Sequence, residues 1–185
     1  VEVLSFLRFF GMTVAAVWFG SAVFFGLFVG PAFFTDEMKR LFPPPYNGAI
    51  AELVLSRYFV LHYICGVLAL VHLVAEWIYS GKVAPRLTLW LVGGVLGLSL
   101  LGGVWLQPKL KQLQRVKYAE HYRLNATPQQ REAAAKDFSL WHGVARMTDL
   151  AMLLALWVYL ARVIHTGESP RFVSPIHKFG MEARS

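Results

Sequence analysis

Apolar residues in this chain gather into four long runs, separated by shorter stretches that hold most of the charge. The first, "LSFLRFFGMTVAAVWFGSAVFFGLFV", covers about residues 4–29 and is expected to stop at Gly30 and Pro31. The second, "YFVLHYICGVLALVHLVAEWIY", covers 58–79, and the third, "LTLWLVGGVLGLSLLGGVWL", about 87–107. The fourth, "WHGVARMTDLAMLLALWVYLARVI", covers 141–164. Each is near the roughly 20 residues a helix needs to cross a hydrocarbon core of about 30 Å. The pattern predicts an all-α integral membrane fold, a bundle of four transmembrane helices with helical extensions on one side. The first run lacks the basic leading segment and small-residue cleavage site of a secretory signal, so it reads as a retained helix.

Four crossings put both termini and the turn at 80–86 on one side of the bilayer, here side A, and the two longer connections on side B. The side B connection at about 109–140 reads as a helical hairpin. "PKLKQLQRVKYAEHYRL" keeps the helical period after a kink expected at Pro108, and "NATPQQREAAAKDF" restarts a helix. Thr127 is placed to cap that second helix and Pro128 to occupy its first turn, so the fourth span is expected to run unbroken from about Pro128 to His165. Asn47 is expected to cap a helix leading into the second span. Residues 1–165 thus form one four-helix domain, and 166–185 a polar C-terminal tail with no means of packing a core of its own.

Composition agrees with a membrane protein and excludes an ordinary soluble domain: 56% of the 185 residues are hydrophobic and 16% charged, with a mean hydropathy of +0.48. The net charge of +7 comes from basic residues flanking the apolar runs, where lipid headgroups account for them and nucleic acid is not needed. Lysines and arginines fall on both sides, so charge leaves the orientation open. The lone Cys65 reads as a small buried hydrophobe. Glycines in the first and third spans are expected to serve helix packing inside the bundle.

Ionisable residues inside the spans are the informative ones. His142, Arg146 and Asp149 recur at i, i+4 and i+7 and so share one face of the fourth span. In the second span His62, Cys65, Ala69, His72 and Glu76 fall within about 80° of arc. Such groups are costly in hydrocarbon and should face the bundle interior and one another. Arg146 with Asp149, and Arg8 with Glu76, are natural ion pairs, and Arg8, His72, Glu76 and Asp149 read as structural or proton-handling groups. His62 and His142 each lie a little inside side B. Two imidazoles at one depth on separate helices are what a bis-histidine haem b needs, with Arg57 or Arg146 meeting propionates and Tyr58, Phe59, Trp105 and Trp141 lining the ring. The alternative is that each histidine satisfies a carbonyl or Asp149 and packs the bundle.

The stretches "RYFVLHYICG", "VWLQPKL" and "DFSLWHGVARMTDL" together resemble a four-helix bacterial membrane family of uncharacterised function that includes the animal transmembrane-205-like proteins. The carriers are His62 with Gly66, Trp105 with Pro108, and Phe138 with His142 and Gly143; Gln107 departs from the pattern, where an acidic residue is usual. The resemblance implies that both side B histidines belong to a shared pattern. No phosphate loop, nucleophile motif or HExxH pair is present, so an enzyme is not the expectation. The chain reads as an accessory or assembly subunit of a larger membrane complex, an energy-transducing one included, or as a homo-oligomer, in the bacterial inner membrane. A b-haem electron-transfer protein and a small-molecule or ion transporter are the alternatives.

Overall fold

The computed structural model describes residues 2–81 and 83–165. Lys82 and the tail 166–185 lie outside the described residues. Four long helices carry the fold: span one Glu2–Ala32, span two Tyr46–Ser80, span three Arg86–Lys117 and span four Pro128–His165. One short helix, Asp36–Leu41, sits between the first two, and no strand occurs among the described residues. All four are long and apolar enough to cross a bilayer, which makes this an integral membrane protein. The 38 residues of span four at about 1.5 Å each would extend well past a core of about 30 Å. The excess projects on side B.

The two prolines inside the spans act differently from a simple stop. Span one passes through a π-helical turn, Phe25–Val29, and continues over Pro31 to Ala32. Span three passes through a second, Leu101–Leu106, and continues over Pro108 to Lys117. Proline has no N–H for the carbonyl one turn back and crowds it sterically. A wider turn just before the ring relieves both problems. The expected end at Gly30 and Pro31 is therefore replaced by a continuation, and the kink at Pro108 takes the form of a π-turn.

Local chemistry sets the other ends. Gly81 closes span two in the left-handed region at φ +68°, its N–H donating to the Trp77 carbonyl. Thr127 and Gln130 form a reciprocal box at the start of span four. The Gln130 N–H donates to Thr127 Oγ1 at 3.3 Å, and the Thr127 N–H to Gln130 Oε1 at 2.9 Å. Asn47 does not cap span two, which has already begun at Tyr46. Its Nδ2 donates instead to the Phe33 carbonyl at 3.4 Å and ties span two to the end of span one.

Spans one and two, two and three, three and four, and four and one pack side by side. Spans two and four therefore face each other across the diagonal. The shared core is built from Ala15, Trp18 and Ala22 of span one, Cys65 and Ala69 of span two, Val92 and Val95 of span three, and Leu156 and Tyr159 of span four. On side B the extension of span three lies along span four. It is also bound to span two by an ion pair between Lys111 and Glu52 and by a 3.3 Å bond from Gln107 Nε2 to the Glu52 carbonyl. On side A the Arg162 guanidinium donates to Thr88 Oγ1 at 3.4 Å, joining spans four and three.

Candidate functional site: a polar chain at mid-depth

Trp18 is fully buried in the core. An indole N–H is only ever a donor, so in an apolar helix it must find an acceptor on a neighbour. It finds His62 Nδ1, at 3.0 Å. His62 is likewise 0% exposed, and accepting from the indole obliges its ring proton to sit on Nε2. Ser99 Oγ lies 3.3 Å from the same Nδ1, while its own proton goes to the Val95 carbonyl at 2.8 Å. The His62 Nε2 atom is buried with no hydrogen-bond partner. A fully buried node thus joins spans one, two and three.

One turn toward side B, the Tyr58 ring packs edge-on to His62 with centroids 4.3 Å apart and stacks on Phe25 at 4.1 Å. Its hydroxyl donates to Asp149 Oδ1 at 3.1 Å, crossing the diagonal to span four. The second oxygen of Asp149 approaches Gly26, where a β-carbon would lie 3.0 Å from it. Gly26 belongs to the first π-turn. Gly102 and Gly103 of the second π-turn admit the rings of Phe59 and Tyr63 in the same way, with a β-carbon at Gly103 falling 2.1 Å from the Tyr63 hydroxyl. Tyr58 to Tyr63 is therefore clasped between two widened turns.

His62 and His142 are not brought together. Ser99 Oγ touches both His62 Nδ1 and Met152 Sδ, the latter at 3.5 Å, so Met152 is level with His62. His142 precedes Met152 by ten residues on one helix, a rise of about 15 Å. It packs instead between Phe138, stacked at 5.7 Å, and Phe34, edge-on at 5.7 Å, and so fastens the turn after span one. Two axial ligands must meet one iron from opposite faces. A metal on His62 Nε2 would also move the ring proton to Nδ1, where the indole N–H already points. The residues as arranged do not fit a bis-histidine haem.

The other expected pairings resolve similarly. Arg146 is exposed and does not ion-pair with Asp149; Arg8 is exposed and does not ion-pair with Glu76. Arg57 is exposed beside Tyr58. Glu76 faces Tyr159 across the bundle closely enough to act on it electrostatically. His72, 5% exposed, has neither ring nitrogen bonded and lies hard against Gly11, where a β-carbon would come within 2.4 Å of the ring. Trp105 and Trp141 do meet, at right angles with centroids 5.2 Å apart. What they hold is Lys109, whose ammonium sits 3.5 Å from the Trp141 ring centre and 5.0 Å from that of Trp105. Paired tryptophans with a lysine mark the side B interface.

Sequence reading missed Trp18, Ser99 and Lys109. The available signal was Trp18 itself, an obligatory donor deep in an apolar run. The glycines divide as well. Gly11, Gly66, Gly102 and Gly103 pack internally, whereas Gly93, Gly94 and Gly97 are exposed with no atom within 4 Å of where a β-carbon would be. Residues 13–119 match the family described as Domain of unknown function (DUF4149). The match covers more than half of the chain, which belongs to this family. It includes Trp18, Tyr58, His62 and Ser99 and leaves out span four. No curated protein and no solved structure matches the chain.

Proposed function

We propose that this protein is a noncatalytic accessory or assembly subunit of a larger membrane complex, held in the bacterial inner membrane. The observation that carries the reading is the outward glycine face of span three. Gly93 and Gly97 stand four residues apart on an exposed surface, with Gly94 beside them and nothing within 4 Å of any of the three. Lipid chains gain little from so flat a face, while a second helix can bring its backbone close there. The interior groups, by contrast, are spent in clamping helices to one another. Residues 1–165 act as one unit in this reading, and the side B hairpin is a second place where a partner rests. Kinship with the animal transmembrane-205-like proteins belongs to the same proposal, supported by the His62, Trp105 and His142 pattern.

The test is the size of the protein in its membrane. Cross-linking in native membranes followed by mild extraction should give a defined assembly heavier than the 20.9 kDa chain. Gly93→Leu with Gly97→Leu should disperse it while leaving the chain folded, since neither change meets an internal atom. A chain that stays monomeric before extraction would sink the proposal. An optical spectrum of the same sample, with a Soret band shifting on reduction, would instead revive electron transfer.

A further inference from the structure

The acid that lies deepest in the membrane is Asp149. Eight residues separate it from Trp141 at the side B interface, about 12 Å along the helix. The other described acids sit in connections, in the side B extensions, or within about two turns of a helix end. The side chain is half-buried, and every group around it can be named. Span two supplies the Tyr58 hydroxyl at 3.1 Å and, behind it, His62. Arg57, next to Tyr58, is exposed. Span one supplies the Phe25 ring stacked on Tyr58 and the backbone at Gly26. Span three supplies Ser99, whose proton is committed to Val95. Within span four, Arg146 is exposed and beside His142. No cation faces the carboxyl, and its one hydrogen-bond donor is neutral.

A carboxylate in that setting carries a full charge in hydrocarbon with one hydrogen bond against it. Taking up a proton removes the charge and costs only the strength of that bond. We propose that Asp149 is a proton-binding carboxyl, loaded and unloaded from the side B half of the bundle, with the Tyr58 hydroxyl stabilising its ionised form. The inference stands apart from the assembly proposed above, because it needs only the intact bundle.

Dicyclohexylcarbodiimide tests it, because this apolar reagent partitions into bilayers and attacks carboxyl groups in their acid form. The full chain would be placed in vesicles of phosphatidylethanolamine and phosphatidylglycerol, labelled across a pH series, and mapped by peptide mass spectrometry. The expected result is an adduct on Asp149, at least about tenfold more abundant near pH 6 than near pH 9, and none in Asp149→Asn. Tyr58→Phe should move the midpoint of labelling upward by about one pH unit, since it removes a donor to the carboxylate. Wild-type labelling decides the matter even if that variant folds poorly. An unlabelled Asp149 at every pH in protein of native helical content, or a yield indifferent to pH, overturns the assignment; an unmoved midpoint in Tyr58→Phe removes Tyr58 from it.

Discussion

Two clusters of aromatic and polar side chains hold this bundle, and they answer to different solvents. At mid-depth, Trp18, His62 and Ser99 are buried to the last atom, so a bond broken there has no water to replace it. At the side B interface, Trp105, Trp141 and Lys109 meet at similar distances, yet Trp105 is 48% exposed. Lost contacts there are made up by headgroups and water. Equal geometry in the two places therefore implies unequal energy.

The largest effect should come from the interior. His62→Ala leaves the Trp18 N–H without an acceptor and opens a cavity, which should cost about 3 kcal/mol in reversible unfolding from mixed micelles. Trp18→Phe alone should cost less, and the double variant should show a coupling of about 1 kcal/mol. A coupling near zero would erase the distinction between the two clusters. An intermediate effect is expected at Gly11→Ala, whose new methyl collides with the His72 ring; overpacking of this kind costs about 1–3 kcal/mol. The smallest belongs to Lys109→Met, which keeps the apolar stem and removes the cation over the two tryptophans. It should cost about 0.5–1 kcal/mol and fall further at high salt. A loss as large as that for His62→Ala would mean that the interface cluster is as dry as the core.

How much could be read in advance depended on the range of the forces involved. The spans were legible because transfer of about 20 apolar residues into lipid is decided segment by segment. The Thr127 cap was legible because its partner, Gln130, is three residues away. Arg8 with Glu76 and His62 with His142 were misjudged for one shared reason. A helical wheel reports which residues share a face, and not how far one helix is slid or turned against the next. His142 illustrates it: its position near the start of the fourth apolar run suggested the depth of His62, but span four is displaced so that Met152 takes that level. The π-turns were hidden in another way, since Pro31 and Pro108 advertise a broken hydrogen-bond ladder without saying whether the helix ends or widens.

By itself, then, the sequence determined that this is an all-helical membrane protein with four spans and a helical extension on side B. Hydrophobic length and local capping act within single segments and need no knowledge of neighbours. Only the tertiary structure decided that spans two and four oppose each other, that Trp18 and His62 bond at mid-depth, and that Tyr58 reaches Asp149. Those contacts depend on helix rotation and register. In a bilayer these are set by the sum of many small packing contacts, because lipid is as apolar as the side chains and prefers no pairing of its own.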